Sequence, residues 1–485
     1  MIVSFGESAK ETPPPVRGNE LQRALGRPHV LAIAVGATVG MGIFIRPASI
    51  AQLVESPILI LGVWFGAGAL SLCGALTYAR LAMRVSGSGG EYQFLRVTLG
   101  NLPAFLFGWM RLVIGPAVLA GLAVAFTVFL GDLVPIGGPW IRWSPPWGRE
   151  GTRYDFGARQ SIAVAVIVGL AWINTRGVRT AGGFQVAVTL CKVLGLLVLI
   201  SGIIVMGRTD PTAAVIPEVA HSTSALSFSA AMLAAMAAYN GWSNAAMLGG
   251  EIRQPERVLP WALVVAVSIV VVLYVTANIG FLRALSLHEV ATANSTAYPI
   301  APSVASLATR RVLGATAANT LPILFALSAL GSAHCNILAV QRVFYSMAQD
   351  RLLPTWVALV APKTGTPNRA IVIFALTASI FATLGSYDRL TNMTAYSFLL
   401  FYALTSFGFL WSRRTIPATS RDLGFWATVL VASLFFLGAL WLIVTSALRG
   451  SIEVMTATAL IGLGLPIFGA LQLLHRPVEV PRPDN

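Results

Sequence analysis

The sequence predicts an all-α polytopic membrane protein with about twelve spanning helices, built as a 5+5 inverted repeat in which helices 1 and 6 are broken. Three observations carry this expectation. First, 56% of the 485 residues are hydrophobic and 11% are charged, with a mean hydropathy of +0.75. A soluble chain could not hide that much apolar surface, so lipid must be the solvent for much of it. Second, apolar runs of membrane-spanning length recur along the chain. Third, two of those runs are weakened by glycines near their middles.

The spans read as 28–54, 57–83, 102–131, 158–175, 182–206, 225–249, 258–283, 319–347, 370–385, 390–411, 424–447 and 453–474. Short turns join most of them, and the longer connections are 132–157, 284–318 and 348–369. Residues 1–27 are polar, with Pro13, Pro14 and Pro15 in a row. They read as a cytoplasmic tail, because a cleavable signal peptide needs an apolar core near its start. Spans 1–5 form a first repeat over 28–206, and spans 6–10 a second over 225–411. Spans 11 and 12 follow over 424–474, and 475–485 is a second cytoplasmic tail. With the N-terminus inside, about 20 lysines and arginines fall on the cytoplasmic side and about 11 outside, which supports both termini in the cytoplasm.

The formal net charge of +14 needs no nucleic acid to explain it. The basic residues are scattered singly among loops, with no basic stripe and no interleaved aromatics. Cys73, Cys191 and Cys335 all lie in apolar segments, and their odd number and spacing suit neither a disulfide framework nor a metal site. The five histidines are scattered, and neither HExxH nor paired aspartates occur, so no enzyme site, metal or cofactor is expected. The stretch "SGSGGEY" lacks the lysine and the strand-to-helix context of a phosphate loop.

The weakened spans carry the functional signal. Residues 35–47 read "VGATVGMGIFIRP", with Gly36, Gly40 and Gly42 close together, and glycine destabilises a helix interior. In the sixth span, Asn240 and Gly241 interrupt an apolar run, followed by Gly249 and Gly250. Each break falls in the first span of a five-span block, and five is odd, so the second block enters from the opposite face. Paired interrupted helices in inverted repeats point to a transport site near the midplane. Unwound backbone frees N–H groups that can hold a carboxylate and C=O groups that can hold an ammonium. A zwitterionic amino acid offers both. The plainer reading is close helix packing through small residues.

"GATVGMGIF" is similar to the first-helix signature of the amino acid–polyamine–organocation (APC) superfamily. "AYNGWSNAAMLGGEIRQPERVLP" resembles its sixth-helix signature, in a form close to the L-type amino acid transporter branch. "SGSGGEYQFLRVTLG" and "QRVFYSMAQDRLLP" agree with it, and the resemblance runs from about residue 26 to 410. It implies alternating access, with spans 1, 2, 6 and 7 rocking against spans 3, 4, 8 and 9. It also implies that the backbone N–H groups of Met41, Gly42 and Ile43 bind the substrate carboxylate, and that carbonyls near Thr38 and at Ala237, Ala238 and Asn240 bind the ammonium. Relatives usually carry Ser at Met41 and often an aromatic gate at Ala237. Tyr239 and Trp242 are the nearest aromatic substitutes, although core packing accounts for either.

Lys192 lies about ten residues into span 5, ~15 Å deep, too far to snorkel. An intramembrane lysine costs ~2.5–3.5 kcal/mol on insertion scales and should have a partner. The resemblance implies that it reaches the first break and span 8 and replaces a sodium ion, with carbonyls near Gly36 and the hydroxyl of Ser328 as contacts. Gly40 and Gly241 shape the two breaks. A lysine facing a watery vestibule is the alternative. Arg111 in span 3 either lines the cytoplasmic pathway or stretches along the helix to the interface. His334 reads as a proton relay or as an interhelical hydrogen bond. Glu251 reads as a structural ion pair near Arg253 and Arg257.

The expected function is secondary transport of amino acids, either by sodium-independent exchange or linked to protons. An amine or polyamine carrier is the second reading, weakened because Glu55, Asp132 and Glu251 all sit near span ends. A transporter-like nutrient sensor is the third. The expected partners are an amino acid and the lipid bilayer of the cell membrane, with no nucleic acid. The sequence specifies no accessory subunit.

Overall fold

The first span splits because its glycines leave nothing to sustain a helix through residues 39–41. In the computed structural model, which describes residues 21–85, 87–143, 154–207, 224–295, 297–298, 301–384, 387–412, 423–450 and 452–474, α1 runs Arg27–Thr38 and α2 runs Gly42–Val54. Glu55, in the left-handed conformation, ends α2. Ser56 then caps α3 (Pro57–Ala82), where Pro57 has no N–H to leave unsatisfied. The tails expected at 1–27 and 475–485 lie outside the described residues, apart from 21–27.

A short amphipathic helix α4 (Glu91–Leu99) precedes the third span, which is itself interrupted. It comprises α5 (Asn101–Val113) and α6 (Gly115–Leu133), kinked at Ile114. Pro116 explains the kink, because its ring clashes with the carbonyl four residues back and it donates no hydrogen bond. A continuous span 102–131 was the expectation. The connection 132–157, expected as plain loop, contains an antiparallel pair, β1 (Pro139–Trp143) and β2 (Tyr154–Gly157), in which Arg142 pairs with Asp155. The fourth and fifth spans are α7 (Ala158–Thr175) and α8 (Val178–Met206).

The sixth span is α9 (Ala225–Ala238), a break, and a single turn α10 (Asn244–Met247). The rest comprises α11 (Pro255–Ala284), α12 (Leu287–Ala291), α13 (Val304–Gln349), α14 (Asn368–Leu384), α15 (Tyr387–Ser412), α16 (Leu423–Leu448), α17 (Ile452–Gly462) and α18 (Gly464–Leu474). Within α13, Gly314 at φ 86° separates a leading segment from the eighth span. Between α11 and α13 a capping box formed by Ser286 and Glu289 starts α12, and Arg311 pairs with Glu289. These hydrogen bonds hold the Glu289 carboxyl below its usual range, although burial alone would raise it.

Ten described helical segments are long and apolar enough to cross a membrane, and the shorter apolar helices Ala225–Ala238 and Asn368–Thr383 complete the sixth and ninth spans. Large apolar side chains cover the outside, among them Phe65, Trp172, Val198, Val272, Leu376 and Leu430. Exposed apolar surface on this scale suits lipid and not water. The chain is therefore an integral, multi-pass membrane protein. All three cysteines are free.

Packing sorts the helices into two groups. One joins α3 to α11 and α9, α11 to α1, and α2 to α9. The other joins α6 to α13, α14 and α7, with α14 against α7. These are spans 1, 2, 6 and 7 on one side and 3, 4, 8 and 9 on the other. Helix α8, the fifth span, packs on both α1 and α13.

Candidate functional site

The two breaks face each other. Gly241, at φ 125°, turns the sixth span where a β-carbon would lie 2.5 Å from the Ala37 carbonyl oxygen. A β-carbon on Gly42 would lie 2.6 Å from the Cα of Ala238. Glycine is required at both points for the backbones to approach. Between and beside the breaks is a cavity of about 120 Å³. Its walls include Thr38, Gly40, Met41, Gly42, Ala237, Ala238, Asn240 and Gly241, all of them expected site positions. Ile43, Gly36, Lys192 and Ser328 stand behind the wall.

Splitting a helix exposes two ends of opposite polarity. The C-terminal end of α1 presents carbonyls, and the N-terminal end of α2 presents N–H groups. The N–H groups of Met41, Gly42 and Ile43 donate to no backbone acceptor among the described residues. The carbonyl end is held from two sides. Lys192, fully buried, donates from Nζ to the carbonyl oxygens of Gly36 and Val39, the latter at 2.6 Å. Ser332 Oγ adds a hydrogen bond to Gly36 at 3.2 Å. A β-carbon on Gly36 would come within 2.3 Å of Gln185 and Thr189 on α8, so this glycine admits the fifth span to the break. The expected contact with Ser328 is not made. Its hydroxyl is buried without a hydrogen-bond partner, and Ser332, one turn later on α13, takes the place assigned to it.

Tyr274, on α11, had not been singled out from the sequence. Its hydroxyl lies 2.9 Å from the carbonyl oxygen of Thr38 and 3.3 Å from that of Ala238, bridging the two breaks. The signal was present as a tyrosine in the apolar run "VVVLYVTAN". Tyr239 and Trp242 do not line the cavity. Tyr239 donates to the Trp64 carbonyl, and Trp242 stacks on Tyr402, so both are packing residues. Tyr402 in turn donates to Asn240 Oδ1 at 2.5 Å and is 3.0 Å from the Ser243 hydroxyl.

Arg111 does not stretch to the interface. It lines the cavity, is almost fully buried, and packs over Phe398 with its guanidinium carbon 4.4 Å from the ring centroid. Asn244, Asn336 and Ser332 also line the cavity and were missed. Ser328, Ser332 and Asn336 recur every four residues, so a polar stripe along one face of span 8 was there to read. His334 sits beside that stripe with Nδ1 2.7 Å from Gln185 Oε1, an interhelical contact.

One end of the bundle is closed. Leu25 and Ile252 form an isolated parallel β-bridge, through Leu25 N–H to the Glu251 carbonyl and Arg253 N–H to the Leu25 carbonyl. Glu251 forms a structural ion pair as expected, though not with its neighbours Arg253 or Arg257. It meets Arg342 of α13 in a bidentate ion pair at 2.8 and 2.7 Å, with both side chains fully buried. The short turn at 249–251 points its carboxylate inward to α13, while its neighbours in sequence face away. At the same end, Tyr92 and Arg96 hold Asp350, and Ser346 donates to the Ser88 carbonyl. Glu91, in α4 outside the spanning helices, accepts a hydrogen bond of 2.6 Å from Tyr78. Burial pushes its carboxyl up to about 7, against the opposing pull of Arg111 and Tyr78. Among the described residues, no group of three histidine, cysteine or acidic side chains is placed to hold a metal.

Comparison with known proteins decides the family. The sequence model of the family described as amino acid permease matches residues 25–466. The chain belongs to the amino acid permease family. The match reaches beyond residue 410 into spans 11 and 12, further than the motifs alone carried it. The chain is 28% identical over 459 residues to the serine/threonine exchanger SteT of Bacillus subtilis, covering 93% of this chain and 97% of that one. It is 27% identical over 438 residues to the human cystine/glutamate transporter, covering 90% and 82%. It is 29% identical over 439 residues to the mouse large neutral amino acids transporter small subunit 2, covering 86% and 77%. This permease thus resembles carriers and exchangers of amino acids along most of its length.

Proposed function

We propose that this permease carries an amino acid by alternating access, with the substrate bound between the two helix breaks. The observation that carries the reading is the facing pair of broken helices on one cavity. The free N–H groups of Met41, Gly42 and Ile43 suit a carboxylate at the positive end of α2. The carbonyls of Thr38, Ala237, Ala238 and Asn240 suit an ammonium. Each carbonyl oxygen has two lone pairs, so Tyr274 leaves room at Ala238, whereas the Thr38 oxygen also accepts from the Gly40 N–H at 2.7 Å. The closed end, sealed by Leu25, Glu251 and Arg342, marks a state shut on that side. Among the described residues no aspartate or glutamate lines the cavity, which disfavours a polyamine with its several ammonium groups.

In this reading the repeats 28–206 and 225–411 together build the site, spans 1, 2, 6 and 7 rock against spans 3, 4, 8 and 9 around it, and 424–474 packs beside them. Lys192 stands in the place of a coupling cation, so transport needs no sodium. Exchange is the mode suggested by the relative named an exchanger. The loop charge bias supports cytoplasmic termini in a plasma membrane. The test is uptake of a labelled amino acid panel into proteoliposomes preloaded with amino acid or with buffer, with and without sodium and pH gradients. Uptake that requires internal amino acid and ignores sodium supports the proposal. No uptake of any amino acid sinks it.

A further inference from the structure

Among the described residues the cavity is lined by two arginines, Arg46 and Arg111, by three asparagines, Asn240, Asn244 and Asn336, and by no acidic residue. The α-ammonium and α-carboxylate of a bound amino acid are already provided for at the breaks. Arg111 is therefore left for the substrate's side chain. Resting on the reading of the cavity as an amino acid site, we propose that Arg111 selects a substrate whose side chain carries a second carboxylate, an acidic amino acid.

The geometry around Arg111 supports this. Its side chain is 1% exposed, a severe desolvation for a charge that is always present. Among the described residues it enters no salt bridge. Its one hydrogen bond to protein is a long one, from Nη2 to Asn244 Oδ1 at 3.4 Å, and Nε has no partner. The rings of Phe398 and Phe107 lie at 4.4 and 5.3 Å from the guanidinium carbon and offset part of the cost, but they accept no hydrogen bond. A buried guanidinium in this condition lacks a hydrogen-bonded anion, and the planar fork suits a carboxylate. The carboxylate behind the wall does not serve. Glu91 does not line the cavity and forms no ion pair with Arg111 among the described residues: its Oε1 accepts from Tyr78, its Oε2 is buried without a hydrogen-bond partner, and it attracts the guanidinium only through space.

Asn240 and Asn244 are turned the same way. Asn240 Oδ1 accepts from Tyr402 and Asn244 Oδ1 accepts from Arg111. Each amide is thereby oriented with its NH₂ group left to donate. Asn336, on the polar stripe of α13, adds a third amide. The kink at Ile114 contributes to the arrangement, because it ends α5 just beyond Arg111 and brings that residue to the cavity edge. A carboxylate side chain would meet a guanidinium and amide donors. The isosteric amide would leave the charge uncompensated.

The test is competition and uptake in proteoliposomes with glutamate, aspartate, glutamine, asparagine and leucine, measured as kcat/KM. The parent protein should favour each acid over its amide by about tenfold or more, the scale of one charged hydrogen-bonded contact. Arg111→Gln should collapse the acid-to-amide ratio, and Arg111→Lys should keep part of it. Asn336→Asp is a second variant for the case in which Arg111→Gln fails to insert. A carboxylate placed in the cavity should likewise lower the ratio. A parent that carries amides or leucine as well as acids overturns the proposal while leaving the amino acid carrier intact. So does an unchanged ratio in Arg111→Gln and Asn336→Asp. If no amino acid is carried, both readings fall together.

Discussion

The hydroxyl of Tyr274 lies 2.9 Å from the carbonyl oxygen of Thr38 and so ties the seventh span to the end of α1. The same oxygen reaches Ala238 at 3.3 Å. One side chain thus couples the two breaks, and any movement that separates them must give up this contact. Tyr274→Phe keeps the ring packed on Trp64 and Tyr239 and removes only the bridge. A net hydrogen bond of this kind contributes about 1 kcal/mol, so uptake efficiency should change by roughly fivefold with little effect on folding. Steady-state uptake with parallel thermal melts would check it. Unaltered kinetics would show that the bridge is not part of the cycle.

Gly42 marks the closest approach of α2 to the sixth span. Gly42→Val should abolish transport in a protein that still reaches the membrane. The sequence suggested that a side chain here would fill the substrate's space. The structure adds a nearer obstacle, the Ala238 backbone at 2.6 Å. Gly42→Ala should therefore be impaired too. Ala238→Gly should not rescue it, because the Cα of Ala238 is as close as its Cβ. Rescue by Ala238→Gly would mean that only side-chain bulk matters.

The ion pair of Glu251 and Arg342 seals the closed end inside protein. Removing one partner strands a buried charge, which typically costs about 3–5 kcal/mol. Glu251→Gln and Arg342→Gln should each lower the melting temperature in detergent. The double variant should lose less than the sum of the two, since neither charge is then left alone. Additive losses would show that the two side chains act separately. If the pair also holds this end shut, a cysteine introduced near Leu25 should react faster with a membrane-impermeant thiol reagent in the double variant.

The parts of this site that showed in the sequence are those where a residue violates its local surroundings. Glycines at 36, 40, 42 and 241 interrupt apolar helices, and Lys192 places a charge in one. Each is anomalous without any knowledge of its neighbours. What did not show depends on pairing across the fold. Glu251 and Arg342 are 91 residues apart, and only the turn at 249–251 joins them. Arg111 reaches the cavity because Pro116 kinks its span. Ser332 rather than Ser328 meets Gly36, and that one-turn difference comes from the register of α13 against α8. Gly331 sets the register by letting Val188 and Lys192 approach, where a β-carbon would lie 2.8 Å from the Val188 Cγ1 and 3.2 Å from the Lys192 Nζ.

Lys192 donates to the carbonyl oxygens of Gly36 and Val39 at the negative end of α1. A fixed ammonium there satisfies carbonyls that the break has freed, and the end of the helix favours a positive charge. Uptake should accordingly be equal in sodium and choline buffers at matched membrane potential. Lys192→Ala should lose most transport, because the carbonyls of Val39 and Gly36 are then left poorly satisfied in a dry interior, at about 1–3 kcal/mol each. Lys192→Arg should also be impaired. The planar guanidinium is larger, and the space beside Gly331 fits a compact group. Lys192→Met separates charge from bulk: it keeps the length of the side chain and should still fail. Recovery of Lys192→Ala by added sodium, with saturation, would show that the ammonium and the ion occupy the same place. Strict sodium dependence of the parent protein would remove Lys192 from that role.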